Sequence, residues 1–183
     1  MQHVMLDIET VGTSADSAIL TIGLAHFDMQ TGAIIKSAEF RNSQAAQEKL
    51  GRKVDPATVA WWGRQSPAAR ARLVQEPLYE PIEMMRKVYA FLHAVSSSQW
   101  NLGIWAKGPG FDMTLCRSLT EDLNAKWKGH FSREYCVRTM LLIDKEMGWN
   151  LAEGIYNDLD HGAEADAVYQ AKQVSAIWQR IGR

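Results

Sequence analysis

Cysteine, proline, long apolar runs and net charge are all scarce in this chain, and each scarcity excludes a class of protein. Two cysteines in 183 residues, Cys116 and Cys136, are too few for a disulfide framework, and neither has the spacing of a zinc site. Five prolines among 46% apolar and 22% charged residues exclude a long disordered segment. Uncharged runs such as 96–106 fall far short of the roughly 20 apolar residues a membrane span requires, and no basic-then-apolar pattern opens the sequence. A cytoplasmic protein without membrane association is the expectation. The formal charge of −1 gives no bulk attraction to polyanions. Phosphate loops, nucleophile elbows and zinc deaminase signatures are also absent from the sequence.

The length suits one domain with one sizeable core. Segments 3–9, 18–27 and 33–40 read as strands separated by turn-forming residues, an antiparallel opening meander. Asp55-Pro56 and Ser66-Pro67 each pair a capping residue with a proline suited to the first helical position, so two short helices are expected there. Helical spacing covers 81–94, 111–123, 136–147 and 163–181, and 100–106 reads as a buried strand; any strand near His130 is too short to define. This order implies an α/β fold, a mixed sheet with antiparallel first three strands and helices on both faces.

Three groups of residues carry chemistry. Asp7 and Glu9 are two apart at the end of the first strand, which places both carboxylates on one side of the pleat. Such a pair needs a compensating cation or a solvated strand end. Asp112 follows the glycine-rich turn Lys107-Gly108-Pro109-Gly110, either facing a ligand or favoured as an acid at a helix N-terminus. His161 and Asp166 would point apart on one continuous helix, so His161 is expected on the loop 158–162 before it, as a base or as a surface or capping residue. Taken together, four carboxylates and a histidine match the oxygen ligands and base of phosphoryl hydrolysis with two Mg²⁺ or Mn²⁺ ions.

Asp7-Ile8-Glu9-Thr10, Phe111-Asp112 and His161-x-Ala163-x-x-Asp166 resemble the three exonuclease motifs of the DEDDh superfamily, which has the ribonuclease H-like fold. The Ile22-Gly23 pair, Trp61-Trp62-x-x-Gln65-Ser66, Trp105-x-x-Gly108 and Arg138-Thr139 are similar to its compact phage and bacterial branch, which includes phage exodeoxyribonuclease A, exonuclease VIII-like proteins and the mycobacterial-type 3'-to-5' exoribonuclease. The resemblance implies that residues 1–183 form a single 3'-5' exonuclease domain. It also implies Asp7, Glu9, Asp112 and Asp166 as metal ligands and His161 as general base. The expected reaction is hydrolysis of the 3'-terminal phosphodiester of single-stranded DNA or RNA, releasing nucleoside 5'-monophosphates. Lys107 departs from the asparagine of that branch.

Seven basic residues against two acidic ones in 41–72 suggest a phosphate-tracking segment that includes Arg64, Arg70 and Arg72. One of Trp61 and Trp62 is expected to stack on bases, Trp62 being the choice, and the other to pack in the core. Thr10, Val11, Lys107 and Arg138 complete the expected substrate contacts. A short-oligonucleotide hydrolase and a catalytically silent nucleic-acid- or partner-binding module are the alternatives. Seven tryptophans suit a homodimer or a single well-filled core equally.

Overall fold

A computed structural model describes residues 1–155 and 161–182. The meander forms as the apolar patterning demands: β1 (Gln2–Thr10), β2 (Ile19–Phe27) and β3 (Ile34–Asn42) pair antiparallel. The later strands β4 (Leu78–Tyr79), β5 (Leu102–Ala106) and β6 (Glu134–Cys136) all join in parallel, giving the order β4-β3-β2-β1-β5-β6.

Seven helices are described: α1 (Gln44–Lys49), α2 (Pro56–Gly63), α3 (Pro67–Leu73), α4 (Pro81–Val95), α5 (Pro109–Asp122), α6 (Val137–Glu146) and α7 (Ala163–Ile181). Both expected proline starts are capped, Asp55 accepting from the Ala57 N–H and Ser66 from the Ala69 N–H. The fifth strand begins at Leu102 rather than Trp100 because Gln99–Asn101 closes a 3-10 turn first. The short elements α1, β4 and β6 offer too few residues for a periodic signal.

Strand β1 is covered on both faces, and its alternation sorts the layers. Val4, Leu6 and Ile8 pack with Met84, Val88 and Leu92 of α4 and Met113, Leu115 and Leu119 of α5. Met5 points the other way and packs with Val137 and Met140 of α6 and Ala167, Ala171 and Val174 of α7. Asp7 and Glu9 continue the Met5 face, so a period of two carries the carboxylates to the α7 side once the apolar run ends.

The approach of α7 depends on Gly23. A Cβ at that position would collide with the Ala163 carbonyl and the Glu164 backbone nitrogen, so the first turn of α7 rests directly on β2. Backbone atoms have nowhere to retreat. Gly23→Ala is therefore expected to cost about 3 kcal/mol, read as a lower melting temperature, and an unchanged melt would show that α7 does not need this contact.

Candidate active site

The sheet delivers Asp7 and Glu9 on β1, and α7 brings Asp166 to them. One ligand oxygen from each of the three carboxylates lies within 4.8 Å of the others. Asp166 sits in the first turn of α7, after the N-cap Gly162, with its N–H donating to the Gly162 carbonyl at 2.7 Å. Asp112 approaches from the first turn of α5, near enough for its charge to act on Asp7. Its carboxylate accepts from the Gly108 N–H at 3.3 Å and is 6% exposed. The turn between β5 and α5 is tight enough that a Cβ on Gly108 would fall 2.6 Å from Arg138 Nη1. Arg138, at the start of α6, thereby brings its positive charge to bear on Asp112.

Burial dominates the electrostatics. Asp7 is held well above the usual carboxylate range, first by desolvation and then by the negative charges of Asp112 and Glu9. Asp112 is pushed up to about 6, again chiefly by burial, while hydrogen bonds from Gly108 and Ile8 N–H groups and the charge of Arg138 oppose the rise. The hydrogen bond that Gln170 Nε2 donates to Asp7 Oδ1, at 2.8 Å, supplies orientation but no charge. Hard oxygen ligands, close spacing and strained like charges fit divalent cations of the Mg²⁺ or Mn²⁺ type.

These shifts make metal-free stability fall with rising pH. Between the ordinary carboxyl value of 3.8 and about 6, folded Asp112 holds a proton that the unfolded chain has released. Ionising it in place costs about 3 kcal/mol above that window. EDTA-treated protein is expected to melt higher at pH 5 than at pH 7.5, with Mn²⁺ restoring the loss at pH 7.5. Equal melting temperatures at the two pH values would contradict this account.

His161 precedes α7, with φ at 52°. Of the loop expected to carry it, residues 158–160 lie outside the described residues. Its ring meets Trp61 and Trp62 edge-on, with centroids 5.0 and 5.7 Å away, and the two indoles are themselves 4.9 Å apart. Trp62 is 6% exposed and its Nε1 donates to the Thr10 carbonyl at 2.8 Å, tying α2 to the end of β1. Trp61 is the outer indole, 38% exposed. Both line a cleft of about 490 Å³ together with Glu9, Thr10, Arg64 and Phe111.

The remaining expected contacts are dispersed. Val11 is buried, facing a second pocket behind Trp62 rather than the cleft, and Lys107 is exposed in the turn after β5. Much of the basic segment serves the fold. Arg52 is 4% exposed, spending its guanidinium on the Ser17 and Ala15 carbonyls and on Asp122 at 2.6 Å. Arg41 pairs with Glu39 and Lys53 with Asp16. Arg64 lines the cleft and Arg70 the second pocket.

Two features escaped sequence reasoning. Gln170 lies one helical turn after Asp166 and reaches a partner 163 residues away, a contact without local signature. The edge-on seat of His161 on two indoles leaves no trace in spacing either; only the adjacency of Trp61 and Trp62 hinted at a special role. No helix among the described residues is long and apolar enough to cross a membrane.

Comparison with known proteins adds family to geometry. The family model described as the 3'-5' exoribonuclease Rv2179c-like domain matches residues 2–178. An exodeoxyribonuclease of Enterobacteria phage T4 is 22% identical over 126 residues, covering 65% of this chain. The chain spans 56% of that relative's length. Among solved structures, the nuclease domain of 3'hExo, a DEDDh family member bound to rAMP, superposes with a TM-score of 0.67 at 9% identity, covering 98% of this chain and 92% of that one. Escherichia coli ExoI in complex with single-stranded DNA gives 0.70 at 14% identity, covering 100% and 41%. Schizosaccharomyces pombe Pop2p in its Mg²⁺- and Mn²⁺-bound form gives 0.64 at 16% identity, covering 97% and 83%. At these identities the likeness is one of fold, the ribonuclease H-like exonuclease fold.

Proposed function

Because the chain belongs to the Rv2179c-like 3'-5' exoribonuclease domain family, we propose that it shortens single-stranded nucleic acid from the 3' end, releasing nucleoside 5'-monophosphates. The observation that carries the proposal is the gathering of Asp7, Glu9 and Asp166 within 4.8 Å, with Asp112 near Asp7 and with Glu9 also lining the cleft of about 490 Å³. Asp7, Glu9, Asp112 and Asp166 hold two divalent ions. When bound, these ions neutralise phosphoryl charge and acidify the attacking water.

The protein's own groups do the rest. His161 takes the proton from the attacking water, and its edge-on contacts with Trp61 and Trp62 constrain the position of the ring. Phe111 and Trp61 supply apolar walls for the terminal nucleoside, and Arg64 meets a phosphate. Gln170 limits the rotation of Asp7, so the carboxylate reaches its ions already aligned. Arg138 moderates the protonation of Asp112.

The test is hydrolysis of 5'-labelled single-stranded RNA, single-stranded DNA and duplex DNA with Mg²⁺ or Mn²⁺, with Asp7→Ala protein as the control for contaminating nucleases. A ladder shortening from the 3' end, lost in the variant, supports the proposal and ranks the substrates. Intact strands in every arm would refute it and favour a silent binding module.

A further inference from the structure

Trp62 is shared between the cleft and a second pocket of about 380 Å³ whose lining includes none of the four carboxylates. Val11, Leu20, Trp62, Leu73 and Leu78 make its lining mostly apolar, Gln44, Arg70 and Asn42 being the polar members, of which Asn42 alone is fully buried. Asn42, at the end of β3, is 2% exposed, and neither its Nδ2 nor its Oδ1 has a hydrogen-bond partner among the described residues. Its neighbourhood's backbone is committed to β4, since Arg41 and Asn42 pair with Leu78 and Tyr79 and the Ser43 N–H donates to the Tyr79 carbonyl. The amide alone is left over, its donor and acceptor enclosed at the pocket wall, where rotation of the Asn42 side chain would bring them to an occupant. Leaving such a group unpaired costs stability that a leucine of the same size would not.

We propose that this pocket binds a nucleobase, with apolar walls against its faces and the Asn42 amide paired to a base edge that presents an adjacent donor and acceptor. An asparagine amide matches such an edge with two hydrogen bonds, adenine being the best fit. The occupant is a base of the substrate strand upstream of the 3'-terminal nucleotide; that assignment rests on the exonuclease reading above. Three observations connect pocket and cleft. Trp62 lines both, its orientation fixed by the hydrogen bond to the Thr10 carbonyl. Gly63 borders the pocket with open space where a side chain would stand, leaving room for a backbone to pass. Arg64 faces the cleft and Arg70 the pocket, so a positive charge attends each end of the path a polyanion would take.

The experiment is fluorescence anisotropy with short 5'-labelled single strands in EDTA, a single abasic unit being stepped one position at a time from the 3' end. Wild-type protein is expected to lose affinity about tenfold when the abasic unit falls at one particular upstream position. Asn42→Leu is expected to erase that position-specific loss. The same variant is expected to melt about 3 °C higher because it removes the unpaired amide, which separates lost binding from lost fold. Exposed Arg70→Ala is the second variant, expected to reduce the salt slope of binding by about one.

Adenosine 5'-monophosphate forms the competing arm. If it raises the melting temperature of the wild type but not of Asn42→Leu while the abasic profile stays flat, the base comes from a free nucleotide and the strand assignment falls. A flat profile with no Asn42-dependent nucleotide effect overturns the pocket altogether. Anisotropy requires no turnover, so hydrolysis with a flat profile sinks only the pocket. Strands left intact, with an Asn42-dependent profile, sink only the exonuclease reading.

Discussion

Asp7→Ala is expected to reduce phosphodiester hydrolysis by about 10³-fold or more and to lower the number of Mn²⁺ ions bound, measured by calorimetry. The expectation follows from position. Asp7 is the residue on which the other three carboxylates converge: Asp112 and Glu9 contribute most to its raised proton affinity after burial, and Asp166 adds to it. Asp7 is one of the four carboxylates that would hold the ions, and its loss would remove the one whose proton affinity all three others raise. Gln170→Leu provides a graded comparison, because it frees the Asp7 carboxylate without removing it. Its expected effect is weaker Mn²⁺ binding with a smaller loss of turnover. Unimpaired ion binding and turnover in Asp7→Ala would place the chemistry elsewhere in the molecule.

His161→Ala is expected to lower turnover by about 10²- to 10⁴-fold while leaving Mn²⁺ binding close to wild type. The two readouts separate here because His161 is a proposed proton acceptor rather than an ion ligand. The ring also owes its placement to Trp61 and Trp62, so Trp61→Leu should reproduce part of the loss by freeing His161 on one side. Near-normal turnover in His161→Ala would remove that residue from the mechanism and leave the carboxylates without an identified base.

The sequence made the sheet and helices legible where patterning was long. The three nine-residue strands of the meander and the proline-started helices α2 and α3 carry their own signals. A two-residue strand such as β4 does not. Asp7 and Glu9 could be placed on one face because alternation in a strand is fixed by the backbone. Arg52 could not be read correctly, because charge in a sequence carries no record of depth. Its guanidinium lies inside the protein, compensated by carbonyls from residues about 35 positions away and by Asp122. Trp62 likewise reads as a ready base-stacking residue, yet its indole is mostly enclosed and Trp61 is the one that faces outward.

The tie between Asp7 on the first strand and Gln170 on the last helix spans 163 residues. Contacts of such separation form late in folding, after shorter loops have closed. Synthesis from the N-terminus makes the residues of the meander before Asp166 and Gln170, and until those are present the carboxylate cluster is a ligand short. The three-carboxylate group is therefore absent from any copy translated no further than Ala165, and it exists only once the strand and the helix have met.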